Sequence, residues 1–272
     1  SIAGDTAIAH ASCWAQCCEA LSSTAVPARG HALRALALEL ERIGVHLANL
    51  AALCGDIAYL QGNAFFGARR TRVINALLSW TGSRFGRALV RPGGVLSDLD
   101  AGVARRIGAV LDEVLDDVIL MAERLFEDAG ALSRFQGTGV VSRESALALG
   151  LSGVAARASG VRRDARHDHP WGAWRERPVY PLALSSGDVF ARAFQRYLEI
   201  QQSVRWARET LEALPAGPVA APLGPLAPDR LTVNLVESLR GEPVHAALTN
   251  ASGRLARYKV RDASLSNWYG LA

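Results

Sequence analysis

Apolar residues recur at intervals of three and four through most of this chain, the signature of helices with one buried face. The pattern predicts a helix over 5–22, rich in alanine and ending at Ser22-Ser23. Pro27 opens a longer helix to about residue 54, with Leu33, Leu36, Leu40, Ile43, Leu47 and Leu50 along one side. Further helices are predicted over 68–88, 97–128, 143–151 and 187–213. Arg91-Pro92-Gly93-Gly94 reads as a turn, because glycine permits close backbone approach. From Ser152 to about Ser186 the period is lost, and Gly153, Gly160, Pro170, Gly172, Pro178 and Pro181 interrupt the chain. An irregular stretch of that length points to a functional or interface segment.

After 214–229, which holds five prolines, the pattern changes to alternation. Leu231, Val233 and Leu235 alternate, as do Val244 and Ala246. A turn signal at Asn250-Ala251-Ser252-Gly253 precedes Leu255, Tyr258 and Val260. These predict two or three antiparallel strands. The fold class is therefore mainly α (α+β), a long-helix bundle with a small C-terminal antiparallel β element. The expected organisation is a helical core over 1–213, a proline-rich linker over 214–229, and a small β element with a final helix over 230–272.

Composition narrows the function classes. Half of the 272 residues are apolar and 21% are charged, as in an ordinary globular protein. No run of 18 uncharged apolar residues occurs, so no transmembrane helix is predicted. The first 22 residues contain Asp5 and Glu19 and lack a basic leading region, so they do not read as a signal peptide; the absence of an initial Met implies a missing or processed N-terminal piece. Net charge is +4, and Lys259 is the sole lysine. The densest basic cluster, Arg157, Arg162, Arg163 and Arg166, lies beside Asp164 and several histidines. It reads as a solvated loop or a surface for an anionic partner, not as the basic face of a nucleic-acid binder. Cys13, Cys17, Cys18 and Cys54 form no Cys-x-x-Cys pair and read as buried reduced thiols.

Glu39, Arg42 and His46 fall at i, i+3 and i+7 on a second face of the 27–54 helix, and Arg34 and Glu41 lie two turns apart. Such an ionic stripe either meets water or forms a buried polar network.

Several strings, in order, carry a resemblance. Arg34, Glu39, Arg42-Ile43 and His46-Leu47 fit R-x-x-x-x-E-x-x-R-I-x-x-H-L. Gly82-Ser83-Arg84 and Arg91-Pro92-Gly93-Gly94-Val95 follow. Gly153 to Gly160 with Asp164 and Arg166 fits G-x-x-x-R-x-S-G-x-x-x-D-x-R. Gly187-Asp188 with Arg192, Arg196 and Glu199, then Glu237 to Glu242, then Arg261-Asp262-Ala263-Ser264-Leu265-Ser266-Asn267-Trp268 complete the set. Together these resemble the large-subunit family shared by membrane-bound, energy-converting (group 4) [NiFe]-hydrogenases and the quinone-site subunit of respiratory complex I. The last string is closer to the hydrogenase branch.

The resemblance implies a hydrogenase large-subunit-like fold and a place in a membrane-associated oxidoreductase complex, on the cytoplasmic side and peripheral. It implies a small iron–sulfur subunit as partner, iron–sulfur clusters held there rather than by this chain, and a quinone-type cavity. The family's first nickel motif, R-x-C-G-x-C-x-x-x-H, fits Ser1 to His10 in spacing, but Ala3 and Thr6 stand in the cysteine places and Ser1 in that of the arginine. A nickel–iron centre is held by soft thiolates, so no nickel is expected here. The second cysteine pair and the quinone-contacting strand are expected outside the 272 residues.

For the individual residues two readings stand side by side. His10 is a proton or hydrogen-bond partner near the former metal cavity, or a core histidine bonded to a carbonyl. Glu39, Arg42 and His46 form a proton relay or a structural network. Arg84, Arg91, Asp164 and Arg166, with Glu242, form loop-locking ion pairs or face the iron–sulfur subunit. The expected function is electron transfer coupled to proton or ion movement; the alternative is a catalytically inert scaffold retaining only partner surfaces.

Overall fold

The computed structural model describes residues 4–271. Its centre is α2, Ala28–Asp56, 29 residues long, with Pro27 at its N-cap in the extended conformation. Proline suits a helix start because the missing N–H is unsatisfied there in any case. Leu33, Leu36, Leu40, Ile43, Leu47 and Leu50 are all buried, and so is the polar face carrying Arg34, Glu39, Glu41, Arg42 and His46. The helix is therefore enclosed on every side, and its ionic stripe is interior.

Around α2 pack α1 (Ala7–Ser22), α3 (Leu60–Thr81) and α9 (Val189–Glu212), with α4 (Ala101–Glu127) behind α3 and α9. In α4 the buried Ile107, Leu111, Val114, Val118, Met121 and Leu125 trace one face, and Asp100 caps it by accepting from Gly102 N and Val103 N at 2.7 and 3.2 Å. That cap sets the helix start four residues later than the apolar pattern suggested.

The predicted 68–88 helix is displaced: it runs from Leu60 and stops at Gly82, which takes a left-handed φ of 70°. Gly62 reads as a breaker in sequence but is needed for packing, because a Cβ there would meet Cys54 Sγ and Tyr59 at 2.7 Å. The turn at 91–94 is a tight hairpin, β1 (Val90–Arg91) with β2 (Gly94–Val95). Arg34 and Glu19, 2.5 Å apart, clamp it: Arg34 Nε donates to Gly94 O and Gly93 N donates to Glu19 Oε1. Arg34 therefore pairs with Glu19 and not with Glu41, its neighbour on the helix face. The proline-rich 214–229 segment runs along this hairpin, with Val95 N on Val219 O and Ala221 N on Gly93 O.

The irregular stretch contains short helices held by polar contacts: α5 (Ala129–Phe135) and α6 (Arg143–Ala148) precede it, and α7 (Gly153–Ala158), α8 (Ala165–Asp168) and a 3-10 turn at Gly172–Trp174 lie within it. The C-terminal strands β3 (Leu231–Leu235), β4 (Val244–Thr249) and β5 (Leu255–Arg261) form an antiparallel sheet in that order, followed by α10 (Ser264–Tyr269). Its buried face carries His245 and Ala247 against α1, while Leu231 and Val233 are exposed. The fold is mainly α with a small C-terminal antiparallel sheet, as predicted. No helix among the described residues is long and apolar enough to cross a membrane.

Candidate functional site

The α2 polar stripe ends in a buried ionic network drawn from four elements. Arg166 of α8 donates to both oxygens of Glu39 (3.0 and 3.1 Å) and to both oxygens of Asp164 (3.0 and 2.7 Å). Arg42 lies 3.4 Å from Glu39 and donates to the carbonyls of Glu237 and Ser238. Arg157 of α7 is the hub. Its Nε donates to Glu199 of α9 at 2.8 Å, its Nη1 to Glu237 at 2.8 Å, and Asp164 lies 3.6 Å away. His46 bonds Glu199 at 2.9 Å, and Gln195 donates to the same carboxylate. Ala165 N donates to Glu237 Oε2.

Glu39 and His46, read as one relay on α2, do not touch one another. They connect through Arg166, Asp164, Arg157 and Glu199. The basic cluster divides: Arg162 and Arg163 are exposed, as a solvated or partner-facing loop predicts, whereas Arg157 and Arg166 are corrected to interior residues, each 1% exposed. Desolvating a guanidinium is unfavourable unless carboxylates surround it, and here they do.

Charge counts decide the network's chemistry. Three guanidinium groups, on Arg42, Arg157 and Arg166, are in direct contact with four carboxyl groups, on Glu39, Asp164, Glu199 and Glu237. Burial opposes ionisation of Glu199, but Arg157 and His46 outweigh it and hold that carboxyl well below its ordinary value. Burial likewise works against Asp164 and is overcome by Arg166 and Arg157. Glu237 goes the other way: burial and the nearby Asp164 charge push it up to about 7. Burial also lowers His46 to about 4, leaving it neutral, so it donates Nε2–H to the Glu199 carboxylate. Arg196 lies half-buried nearby without an ion pair among the described residues, and desolvation brings it down to about 10. Within this network Glu237 is therefore the carboxyl that exchanges its proton near neutrality.

A second cluster surrounds the start of α1. Thr6 gives no side-chain cap, and its hydroxyl is buried with no hydrogen-bond partner among the described residues. The orphan N–H groups of Ile8 and Ala9 instead donate to Glu41 of α2 at 2.7 and 3.2 Å. Asp5 pairs with Arg240 at 2.6 Å. An apolar pocket here, with Val73, Leu77 and Phe85 beside Glu41 and Arg70, has about 20 Å³, room for one water molecule and no ring.

Burial raises Glu41 to about 8, against the pull of its two backbone donors. Between its ordinary value of 4.5 and about 8 the folded chain holds the extra proton and the unfolded chain does not. Stability is thus full below that window and falls as pH rises through it, and Glu237 adds a fall ending near 7. Urea midpoints are expected to drop between about pH 7 and about pH 8, where the Glu41 contribution alone remains, and Glu41→Gln to flatten that drop. An unchanged slope in the variant would refute the assignment.

His10 is no carbonyl-satisfied core histidine. Its Nδ1 lies 2.9 Å from His245 Nε2 and its Nε2 lies 2.9 Å from Asp262. Glu242 pairs with Arg163 at 2.6 and 2.7 Å. Arg84 and Arg91 are exposed and make no ion pair among the described residues; Arg84 stacks 5.6 Å over Phe85 and Arg91 Nε bonds Ala88 O. Ala3 lies outside the described residues. The four thiols are buried and form no disulfide, and burial raises all of them, Cys18 to about 11 and Cys54 to about 12.

Sequence reasoning did not single out Arg157, Glu199, Glu237, His245, Tyr258 or Asp262 as site residues. For His245 the signal was strand parity: if Val244 and Ala246 share one face, His245 points to the other.

The family model described as respiratory-chain NADH dehydrogenase, 49 Kd subunit, matches residues 56–230. An NADH-quinone oxidoreductase subunit from Carboxydothermus hydrogenoformans is 31% identical over 261 residues, covering 93% of this chain and 70% of that protein. NADH-quinone oxidoreductase subunit 4 of Thermus thermophilus is 35% identical over 217 residues, 79% of this chain and 52% of the relative. Hydrogenase-4 component G of Escherichia coli K12 is 27% identical over 267 residues, 98% of this chain and 45% of the relative. The chain thus spans between about half and 70% of the length of these relatives. With more than half of its length in one family model and these relatives on both branches, the chain belongs to the 49 kDa subunit family of respiratory NADH dehydrogenase, the large-subunit family that complex I shares with the group 4 hydrogenases.

Proposed function

We propose that this chain is the large-subunit-type component of an energy-converting oxidoreductase complex, that it works without nickel, and that its Arg157–Glu237 network carries a proton moved in step with electron transfer. The relatives' names, which place one in an NADH-quinone oxidoreductase and another in hydrogenase-4, support the first part. The observation that carries the last part is the excess of one buried carboxyl over its guanidinium partners, with Glu237 poised near neutrality.

The residues do not fit a nickel–iron centre. The motif's second cysteine place holds Thr6, a hydroxyl that is neither soft nor anionic at neutral pH. The thiols present lie elsewhere and burial keeps them protonated, with Cys13 bonded to Pro243 O and Cys17 to His245 O. Electrons are proposed to arrive from iron–sulfur clusters in a neighbouring subunit, on the cytoplasmic face of the membrane. A quinone-type acceptor is proposed for a cavity that such a neighbour completes beside the Gly4–His10 segment, since the pocket there admits no ring.

The test is elemental analysis of the purified complex together with hydrogen-uptake assays and a Glu237→Gln variant. No stoichiometric nickel and no hydrogen turnover are expected, and the variant is expected to assemble while losing proton coupling. Stoichiometric nickel in this polypeptide, or robust hydrogen turnover from it, would sink the nickel-free reading. Undiminished coupling in the variant would favour the inert scaffold.

A further inference from the structure

We propose that Tyr258, His245, His10 and Asp262 form an acid–base relay through which a hydroxyl or protonated amine bound in the Trp14 cleft exchanges a proton. This goes beyond the proposed function and does not depend on it: the relay shares no residue with the Arg157 network and stands on local geometry.

The four side chains are contiguous. Tyr258 Oη lies 2.5 Å from His245 Nδ1, His245 Nε2 lies 2.9 Å from His10 Nδ1, and His10 Nε2 lies 2.9 Å from Asp262 Oδ2. The ring centroids are 5.2 Å apart and the two imidazole planes 28° from parallel, which is compatible with an N–H···N bond between them. Three elements and a turn supply them: α1 gives His10, β4 gives His245, β5 gives Tyr258, and the turn after β5 gives Asp262.

Proton counting leaves one neutral arrangement. An ionised carboxylate only accepts, so Asp262 takes a hydrogen bond from His10 Nε2–H. The other His10 nitrogen is then bare and accepts from His245 Nε2–H. His245 Nδ1 is bare in turn and accepts the phenol proton of Tyr258. Three protons fill three bonds, and one negative charge at the far end fixes every tautomer. The surroundings favour these protonation states. Burial and His10 lower His245 to about 4, so it is neutral. Asp262 is held low by Ser264 and His10 against the effect of burial. Burial and the thiols of Cys17, Cys13 and Cys18 keep the Tyr258 phenol protonated.

The phenol's proton is turned inward, so the Tyr258 oxygen offers the cleft a lone pair. The cleft is open, about 340 Å³, and lined by His10, Ala11, Trp14, His245, Leu255 and Tyr258. Trp14 stands edge-on to Tyr258 at 5.0 Å. A ligand suited to it has a flat apolar body and one hydrogen-bond donor. In the step, the donor's proton passes to Tyr258 Oη as the phenol proton moves to His245 Nδ1. The Nε2 proton of His245 moves to His10 Nδ1, and that of His10 to Asp262. The ligand is left with one proton fewer and Asp262 becomes neutral; reversal returns the proton. No electrons move.

Nitrogen-15 NMR of the histidine-labelled chain tests this without a variant. Both His10 and His245 are expected as Nε2–H tautomers, with a nitrogen–nitrogen coupling across the bond between them. Either ring found as Nδ1–H, or well-ordered rings without the coupling, would overturn the relay. Phenol and benzene serve as probes of the cleft. Tyr258→Phe is expected to weaken phenol binding about threefold to tenfold, the effect of one lost hydrogen bond, and to leave benzene unchanged. Equal effects on both probes, or none on phenol, would overturn the assignment of Tyr258 as the cleft's acceptor.

Discussion

Replacing Arg157 with methionine is expected to destabilise the fold by about 3–5 kcal/mol, the usual effect of stranding a buried charge. Arg157 holds Glu199 and Glu237 at 2.8 Å each and also binds the carbonyl of Arg163 at 3.0 Å. Methionine fills much of the volume but leaves three carboxyl groups facing one another across it, with Asp164 the third. A lysine there restores the charge but not the fork that reaches two carboxylates at once, so Arg157→Lys should fall between. Because Glu237 takes up a proton most readily, adding Glu237→Gln to the methionine variant should recover part of the loss, and a double-mutant cycle in urea measures it. A loss below about 1 kcal/mol for Arg157→Met would mean that the network is wetter and weaker than its burial indicates.

The second large effect is expected at Gly241. This residue sits at φ 118°, where an ordinary side chain is strained, and a Cβ would stand 2.1 Å from Ser152 Oγ. Gly153, at φ 63°, faces it, and a Cβ there would lie 2.4 Å from the Arg240 carbon. The two glycines let the turn that follows Glu237 rest directly on the start of α7, which carries Arg157. Gly241→Ala therefore combines backbone strain with overpacking, together about 3 kcal/mol or more. It should also loosen the Arg157–Glu237 bond. Gly82→Ala is the control. Gly82 also has a left-handed φ but nothing lies within 4 Å of its would-be Cβ, so about 1 kcal/mol is expected. Thermal unfolding of both variants separates crowding from conformational strain, and equal losses would show that the interlock contributes nothing.

Much of this architecture was legible in the chain. The three-and-four spacing of Leu33 to Leu50 placed α2, and the alternation after residue 230 placed the sheet. What stayed hidden depended on long-range partners. Nothing local distinguishes Arg157 as a hub from Arg162, a surface neighbour in the same basic run; only the return of Glu199 and Glu237 from 42 and 80 residues away does so. His46 was placed on the correct face, but its partner comes from α9. The sheet buried the side of β4 that carries His245, because α1 meets it with the Cys17 thiol on the His245 carbonyl and with Trp14 against Tyr258. Glu41 was read beside Arg34, whereas its geometry made it the cap of a helix other than its own.

A proton held by Glu237, where four carboxyl groups touch three guanidinium groups, is the centre of the proposed chemistry. Infrared difference spectroscopy across neutral pH, comparing the chain with its Glu237→Gln variant, addresses that most directly. The expected result is the carbonyl stretch of a protonated carboxylic acid that disappears as pH rises through about 7 and is missing from the variant. A Glu237 carboxylate that stays ionised from neutrality down to its ordinary value of 4.5 would contradict it.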